Sequence, residues 1–249
     1  MQKSEPDESR PKSHLDEIST RWSQVGDPMQ FVMRYGPAIQ KYLAALIGNP
    51  DDAADVAQDF LANMLTHRFA QASPDQGKFR KYLKAAVRNA ALMHFRRKRA
   101  TQKVQSELAD EIANSSAASP ADDEWLAAWQ RCVVERAWSA LHREQRRSAD
   151  GMYYTVLRIA TDHADDDTAT QASRASKLAG RPIRPDTFRK QLSRARRLFA
   201  ELLVREVALT VQPRTPEAVE AELVETRLMP IVKDFLPADW KSQILSGQA

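Results

Sequence analysis

"KFRKYLKAAVRNAALMHFRRKRATQK", from Lys78 to Lys103, holds ten Lys or Arg and no Asp or Glu. Apolar residues recur through it at three- and four-residue intervals: Phe79, Leu83, Ala86, Val87, Ala90 and Ala91. That is the period of a helix with one buried stripe. The bases wrap the rest of the surface. A solvated helix face ordinarily mixes its signs, and like charges this dense repel unless a polyanion neutralises them. Phe79, Tyr82 and Phe95 punctuate the run. Such rings either stack on unpaired bases or fill the core, and for Phe79 and Phe95 the core is the simpler reading.

The segments upstream have the same helical period. From Asp27, the residues Phe31, Val32, Tyr35, Ile39, Leu43 and Leu46 mark a helix that Gly36-Pro37 should kink or split. Asn49-Pro50-Asp51 reads as a turn with a helix cap. In "PDDAADVAQDFLANML" (50–65), one face carries Val56, Ala57, Phe60, Leu61, Met64 and Leu65, and the other Asp55, Gln58, Asp59 and Ala62. Paired carboxylates can serve acid/base chemistry, but nothing nearby supplies a nucleophile or a metal partner. A stripe that docks a protein is the more economical reading. Residues 71–77 form a loop before the basic helix.

Downstream the chain changes character. "SELADEIANSSAASPADDE" (106–124) has six acids, no base and a Ser/Ala/Pro centre, the composition of a linker. A second helical domain is expected from Trp125, with Leu126, Trp129, Val133, Ala137 and Leu141 on one face. Met152–Ile159 is a further helix and 161–170 a polar loop. A short helix over 172–179, a turn at "RPIRP" and a long basic helix over 186–209 then make a helix-turn-helix pattern. With Phe188 buried, Leu192, Ala195, Phe199 and Leu202 fall on its side, whereas Asp186, Arg189, Lys190, Ser193, Arg194 and Arg197 fall towards the other. Read alone, this is either a DNA-reading helix or an ordinary amphipathic helix in a bundle.

Bulk composition limits the classes. Seven Gly among 249 residues disfavour phosphate-cradling loops and strand-dense folds. The single cysteine, Cys132, excludes an internal disulfide or a Cys-based zinc site and fits a reducing compartment. His14, His67, His94, His142 and His163 are scattered, and "DHADDD" (162–167) lacks the glycine and closing Glu of a calcium loop. No apolar run approaches membrane length. The fold expected is all-α: two small helical domains joined by an acidic linker. The boundaries are a disordered 1–20, a first domain over 21–105, a linker over 106–122, a second domain over 123–212 and an extension over 213–249. No cofactor, no metal, no membrane insertion and no enzymatic activity are expected, in a cytoplasmic protein. The net charge of +4 understates how far the charge is segregated.

The order of these segments closely resembles the bacterial sigma-70 family, in its small two-domain extracytoplasmic-function type. Asp55, Gln58, Asp59 and Phe60 fit the family's polymerase-docking pattern, and Phe79, Tyr82, Leu83 and Asn89 its promoter-melting pattern. Arg194-Ala195-Arg196 fits the end of its recognition helix. The resemblance runs from about Thr20 to Val211. Tyr82 stands where Trp is commoner and Asp59 where Glu is commoner; both keep the chemistry. Arg184 stands where a capping Ser or Thr is expected, which weakens that cap and can place a cation on phosphate.

The resemblance implies a factor that binds core RNA polymerase, recognises minus-ten and minus-thirty-five promoter elements and initiates transcription, with an anti-sigma protein as a further partner. It implies that Asp55, Gln58 and Asp59 bind the core enzyme. Lys78, Arg80, Lys81, Tyr82, Lys84, Arg88, Asn89, Arg96 and Arg97 would hold the minus-ten DNA. Arg184, Thr187, Arg189, Lys190, Ser193, Arg194 and Arg197 would hold the minus-thirty-five DNA. The rival reading is a stand-alone helix-turn-helix regulator on duplex operator DNA. For residues beyond Gln212 two readings stand: a helix docked on the second domain, or a segment that covers the recognition helix.

Overall fold

The computed structural model describes residues 28–67, 78–102, 120–148 and 151–242. The disorder expected over 1–20, the loop over 71–77 and most of the acidic linker lie outside them. The described residues form helices joined by turns, with no strand. The fold is all-α. In chain order the helices are α1 (Pro28–Ile47), α2 (Pro50–His67), α3 (Phe79–Gln102), α4 (Pro120–Arg147), α5 (Tyr153–Asp162), α6 (Thr168–Ala179), α7 (Pro185–Ala208), α8 (Pro216–Glu225) and the single turn α9 (Met229–Val232). Contacts divide the chain into two compact units. One comprises Met1–Gly77 and Lys81–Ala121, the other Lys78–Arg80 and Asp122–Ala249. The second unit thus includes the first residues of α3.

In the first unit α1 and α2 pack on one another. Helix α1 buries Phe31, Tyr35, Ala38, Ile39, Tyr42, Leu43 and Ile47; α2 buries Ala53, Ala57 and Phe60. Each large apolar side chain so buried stabilises by ~1.5–3 kcal/mol. Of the kink or split expected at Gly36-Pro37, the split is absent: α1 runs through Pro37. The missing N–H deprives only the carbonyl of Met33, a residue on the solvent side, where water can replace the bond. Tyr35, Ala38 and Ile39 around it are buried and hold the helix together. Gly48 (φ 77°) closes α1 through its N–H to the Ala44 carbonyl, 3.0 Å. Asn49 then caps α2 by accepting the Asp52 N–H at 2.9 Å, with Pro50 in the first turn.

In the second unit α5, α6, α8 and α9 all pack on α7. Its buried residues Phe188, Leu192, Ala195, Phe199, Leu203 and Val207 explain why. Helix α4 begins at Pro120 and not at Trp125, because Pro120 is a fitting first residue and Asp122 and Asp123 favour the positive end of the helix dipole. The last part of the expected linker is therefore helix. Helix α6 likewise begins earlier than expected, at Thr168, since Asp167 caps it through the Thr170 N–H at 2.7 Å. The extension forms α8 and α9, with Val219, Leu223, Leu228 and Val232 fully buried. It is a docked part of the second unit.

Candidate polymerase and nucleic-acid interfaces

Asp55, Gln58 and Asp59 are all exposed on α2, opposite the buried Ala53, Ala57 and Phe60. The three- and four-residue spacing that sends the small and aromatic residues inward leaves these polar groups as one outward stripe. Asp52, one turn earlier, is different. Its Oδ2 lies 2.5 Å from Lys98 Nζ and 3.5 Å from His94 Nε2 on α3. The hydrogen bond from Lys98 holds the Asp52 carboxyl below its ordinary range. Lys98 of the basic run therefore has an acid of its own chain beside it.

Helix α3 has one buried row at every fourth residue: Phe79, Leu83, Val87, Ala91 and Phe95. Phe79 and Phe95 are core. Tyr82 is half-buried, and that burial pushes its phenol above the ordinary value, so it is neutral at physiological pH. Asn89 is exposed and lies seven residues on, as Arg96 does from Asn89. Seven residues are two turns, so the three share one face, with a rise of about 10.5 Å at each step. Lys81, Arg96 and Arg97 are exposed; Lys84 and Arg88 are half-buried.

Lys78 and Arg80 lie elsewhere. Arg80 is buried, its Nε 2.7 Å from Glu222 Oε1 and its Nη2 3.1 Å from Glu225 Oε2. Lys78 Nζ is 3.1 Å from Glu222 Oε2 and 2.7 Å from Glu225 Oε1. In this arrangement neither cation faces solvent as the exposed Lys81 does. Sequence reasoning missed both glutamates. They lie more than 140 residues away in the chain, and only the acid pair at i, i+3 on an amphipathic helix hints at them.

The helix-turn-helix consists of α6, the turn at 180–184 and α7. Gly180 adopts φ 64° and ends α6, a conformation glycine tolerates best. Ser176 pins the turn: its Oγ donates to the Ala172 carbonyl at 2.8 Å and accepts the Ile183 N–H at 2.8 Å. Gln171 Nε2 donates to the His163 carbonyl, and Arg174 pairs with Asp166, which fixes the entry to α6. Arg184 occupies the N-cap of α7 with no side-chain cap bond, and Pro185 supplies the first turn. Arg184, Thr187, Arg189, Lys190, Ser193, Arg194 and Arg197 are all exposed. Arg189 is paired with Asp186, and Arg197 with Glu201 at 3.1 Å. The described part of the extension, through residue 242, leaves these seven exposed. Phe235 of the extension lies under the Arg196 guanidinium of α7, which is 5.6 Å from the ring centre.

Among the described residues, no group of His, Cys, Asp and Glu is arranged to hold a metal ion, and no helix is long and apolar enough to cross a membrane. Comparison with curated proteins and with solved structures gives no match. A family model, Sigma-70 region 2, matches residues 31–101, the span of α1, α2 and nearly all of α3. Residues 31–101 are therefore similar to a sigma-70 region 2, a match that supports a place for the chain in the RNA polymerase sigma-70 family.

Proposed function

We propose that the chain is a sigma factor of the extracytoplasmic-function type, which brings core RNA polymerase to promoters and opens them. The observation that carries this reading is the order of its parts. A region 2 match over 31–101 is followed by a helix-turn-helix whose seven candidate DNA-binding residues are exposed. A sigma factor needs both, one to melt DNA and one to recognise it upstream.

Each step has a physical basis. Asp55, Gln58 and Asp59 offer the core enzyme a row of acceptors that needs no rearrangement to be reached. Tyr82 and Asn89 on one face of α3 offer a ring edge and an amide to a base leaving the stack. Flipping costs a few kcal/mol, which stacking of ~1–3 kcal/mol and hydrogen bonds at the base edge can offset. A neutral Tyr82 phenol suits this, since a phenolate would repel the strand. Lys81, Lys84, Arg88, Arg96 and Arg97 would neutralise phosphates, which positions the strand without reading it. Thr187, Arg189, Lys190, Ser193 and Arg194 would read base edges of the upstream element in the major groove, with Arg184 and Arg197 on its phosphates.

Transcription from purified core polymerase tests the reading. The wild-type chain is expected to support promoter-dependent initiation that the core enzyme alone lacks. Asp55→Lys with Asp59→Lys is expected to abolish co-purification with polymerase while the helical circular dichroism stays unchanged. A chain that binds duplex operator DNA tightly but never engages polymerase would be the stand-alone regulator instead.

A further inference from the structure

Glu222 is fully buried on α8, yet it is a carboxylate. Burying a charge is tolerated only when it is paired, and its partners are Lys78 and Arg80. Glu225, one turn further along α8 and 42% exposed, completes a closed set of two acids and two bases. The backbone supports it. The Phe79 N–H donates to the Thr210 carbonyl at 3.1 Å, and the Phe79 ring lies 6.3 Å from that of Trp129. The end of α8 is held as well, since Gln130 Nε2 donates to the Thr226 carbonyl at 2.7 Å. Lys78–Arg80 cluster with the second unit, so the ion set is internal to that unit.

We propose that Glu222 and Glu225 form an acidic latch. They occupy Lys78 and Arg80 as a nucleic-acid backbone would, and so restrain single-strand binding until the latch opens. The idea rests on the sigma-factor reading, in which the family resemblance implies that Lys78 and Arg80 hold minus-ten DNA. Two carboxylates at i, i+3 present two anionic groups on one helix face, and Arg and Lys donate to carboxylate or phosphate oxygens alike. With the latch shut, Lys81, Arg96 and Arg97 remain exposed and can make first contact with the strand. With it open, two more cations join the interface. A purely structural ion cluster would contribute to stability and leave nucleic-acid binding as it is.

The discriminating measurement is the salt dependence of binding. Full-length wild type, Glu225→Gln and Glu222→Gln/Glu225→Gln are titrated against a short mixed-sequence single-stranded DNA oligonucleotide by fluorescence anisotropy, from ~50 to ~200 mM salt. Each cation freed for a phosphate should steepen the slope of log affinity against log salt by ~0.7 on a single strand. The double variant is expected to bind several-fold more tightly at low salt, with a slope steeper by about 1.4. Glu217→Gln/Asp234→Asn, at two exposed acids of the same extension and with the same change in net charge, should match wild type. If the double variant loses its fold, Glu225→Gln alone carries the test, because Glu225 is partly exposed and Glu222 still pairs Arg80; its slope should steepen by up to ~0.7. Promoter-dependent transcription by the wild type is run alongside. Its absence would defeat the sigma-factor reading, whichever way the slopes fall. Intact transcription, with folded variants whose affinity and slope equal those of wild type or of the charge-matched control, would overturn the latch.

Discussion

Arg189 and Arg194 stand five residues apart on the exposed side of α7, a rise of about 7.5 Å. A guanidinium can meet a guanine edge with two hydrogen bonds, which makes these two the strongest candidates for base reading. Replacing either by Ala should reduce discrimination in the upstream element by ~1–3 kcal/mol, measured by competition between promoter and scrambled duplexes. Lys84→Ala should weaken binding to all sequences alike, because a phosphate contact carries no base information. Equal and uniform losses in all three variants would mean that α7 enters the groove in another register. On α3, Tyr82→Ala and Asn89→Ala should reduce promoter opening while polymerase binding persists. Permanganate reactivity of promoter thymines reports it, and reactivity equal to wild type would place the melting site elsewhere.

At the scale of the element, the ends of helices decide stability as much as their faces. Asp167 caps α6, and the hydrogen bond from the Thr170 N–H holds its carboxyl below the ordinary 3.8. A depressed folded value means that protons bind the unfolded chain more readily. The cap's charge-dependent contribution is therefore complete above 3.8 and is lost as pH falls through the folded value. Asp167→Asn keeps an acceptor oxygen but has no charge to lose. Its melting temperature should lie below that of wild type at pH 7, and the gap should narrow as the pH approaches 3. A gap independent of pH would mean that Asp167 does not cap α6 in solution. The end of α8 gives a second case. Arg227 adopts φ 54°, with its N–H on the Val224 carbonyl and the Leu228 N–H on that of Leu223. This left-handed position favours glycine, so Arg227→Gly should stabilise by about 1 kcal/mol in urea denaturation.

These same ends explain what was legible beforehand. The period of α1, α2, α3 and α7 was readable because buried residues at i, i+3 and i+4 announce themselves in order, as Leu83, Val87 and Ala91 do. Asn49 as a cap was readable because capping is local. The split expected at Pro37 is absent, since the rule against proline in helices ignores whether the deprived carbonyl faces water. The start of α4 was missed because Ser, Ala, Pro and Asp suit both a linker and a helix N-terminus. Arg80 was misplaced towards solvent for a different reason: pairing with Glu222 is a tertiary fact, and no local pattern encodes it.

For the whole molecule, the extension beyond Gln212 decides how its regulation must be tested. Ending the chain there removes Glu222 and Glu225, but it also removes Val219, Leu223, Leu228 and Val232, all fully buried in the second unit. Their loss exposes the apolar face of α7 on which α8 and α9 pack. A truncated chain should therefore melt at a lower temperature and bind the upstream element less well, whatever the latch does. Leu223→Ala isolates this structural part, because it leaves all four charges of the latch in place. It should cost ~2–5 kcal/mol in urea denaturation, the range for a leucine deleted from a packed core. A cost below about 1 kcal/mol would show that α8 is only loosely held on α7, and ending the chain at Gln212 would then be a fair test of the latch. At the expected cost, only substitutions that remove charge and preserve shape separate the extension's part in folding from its part in restraint.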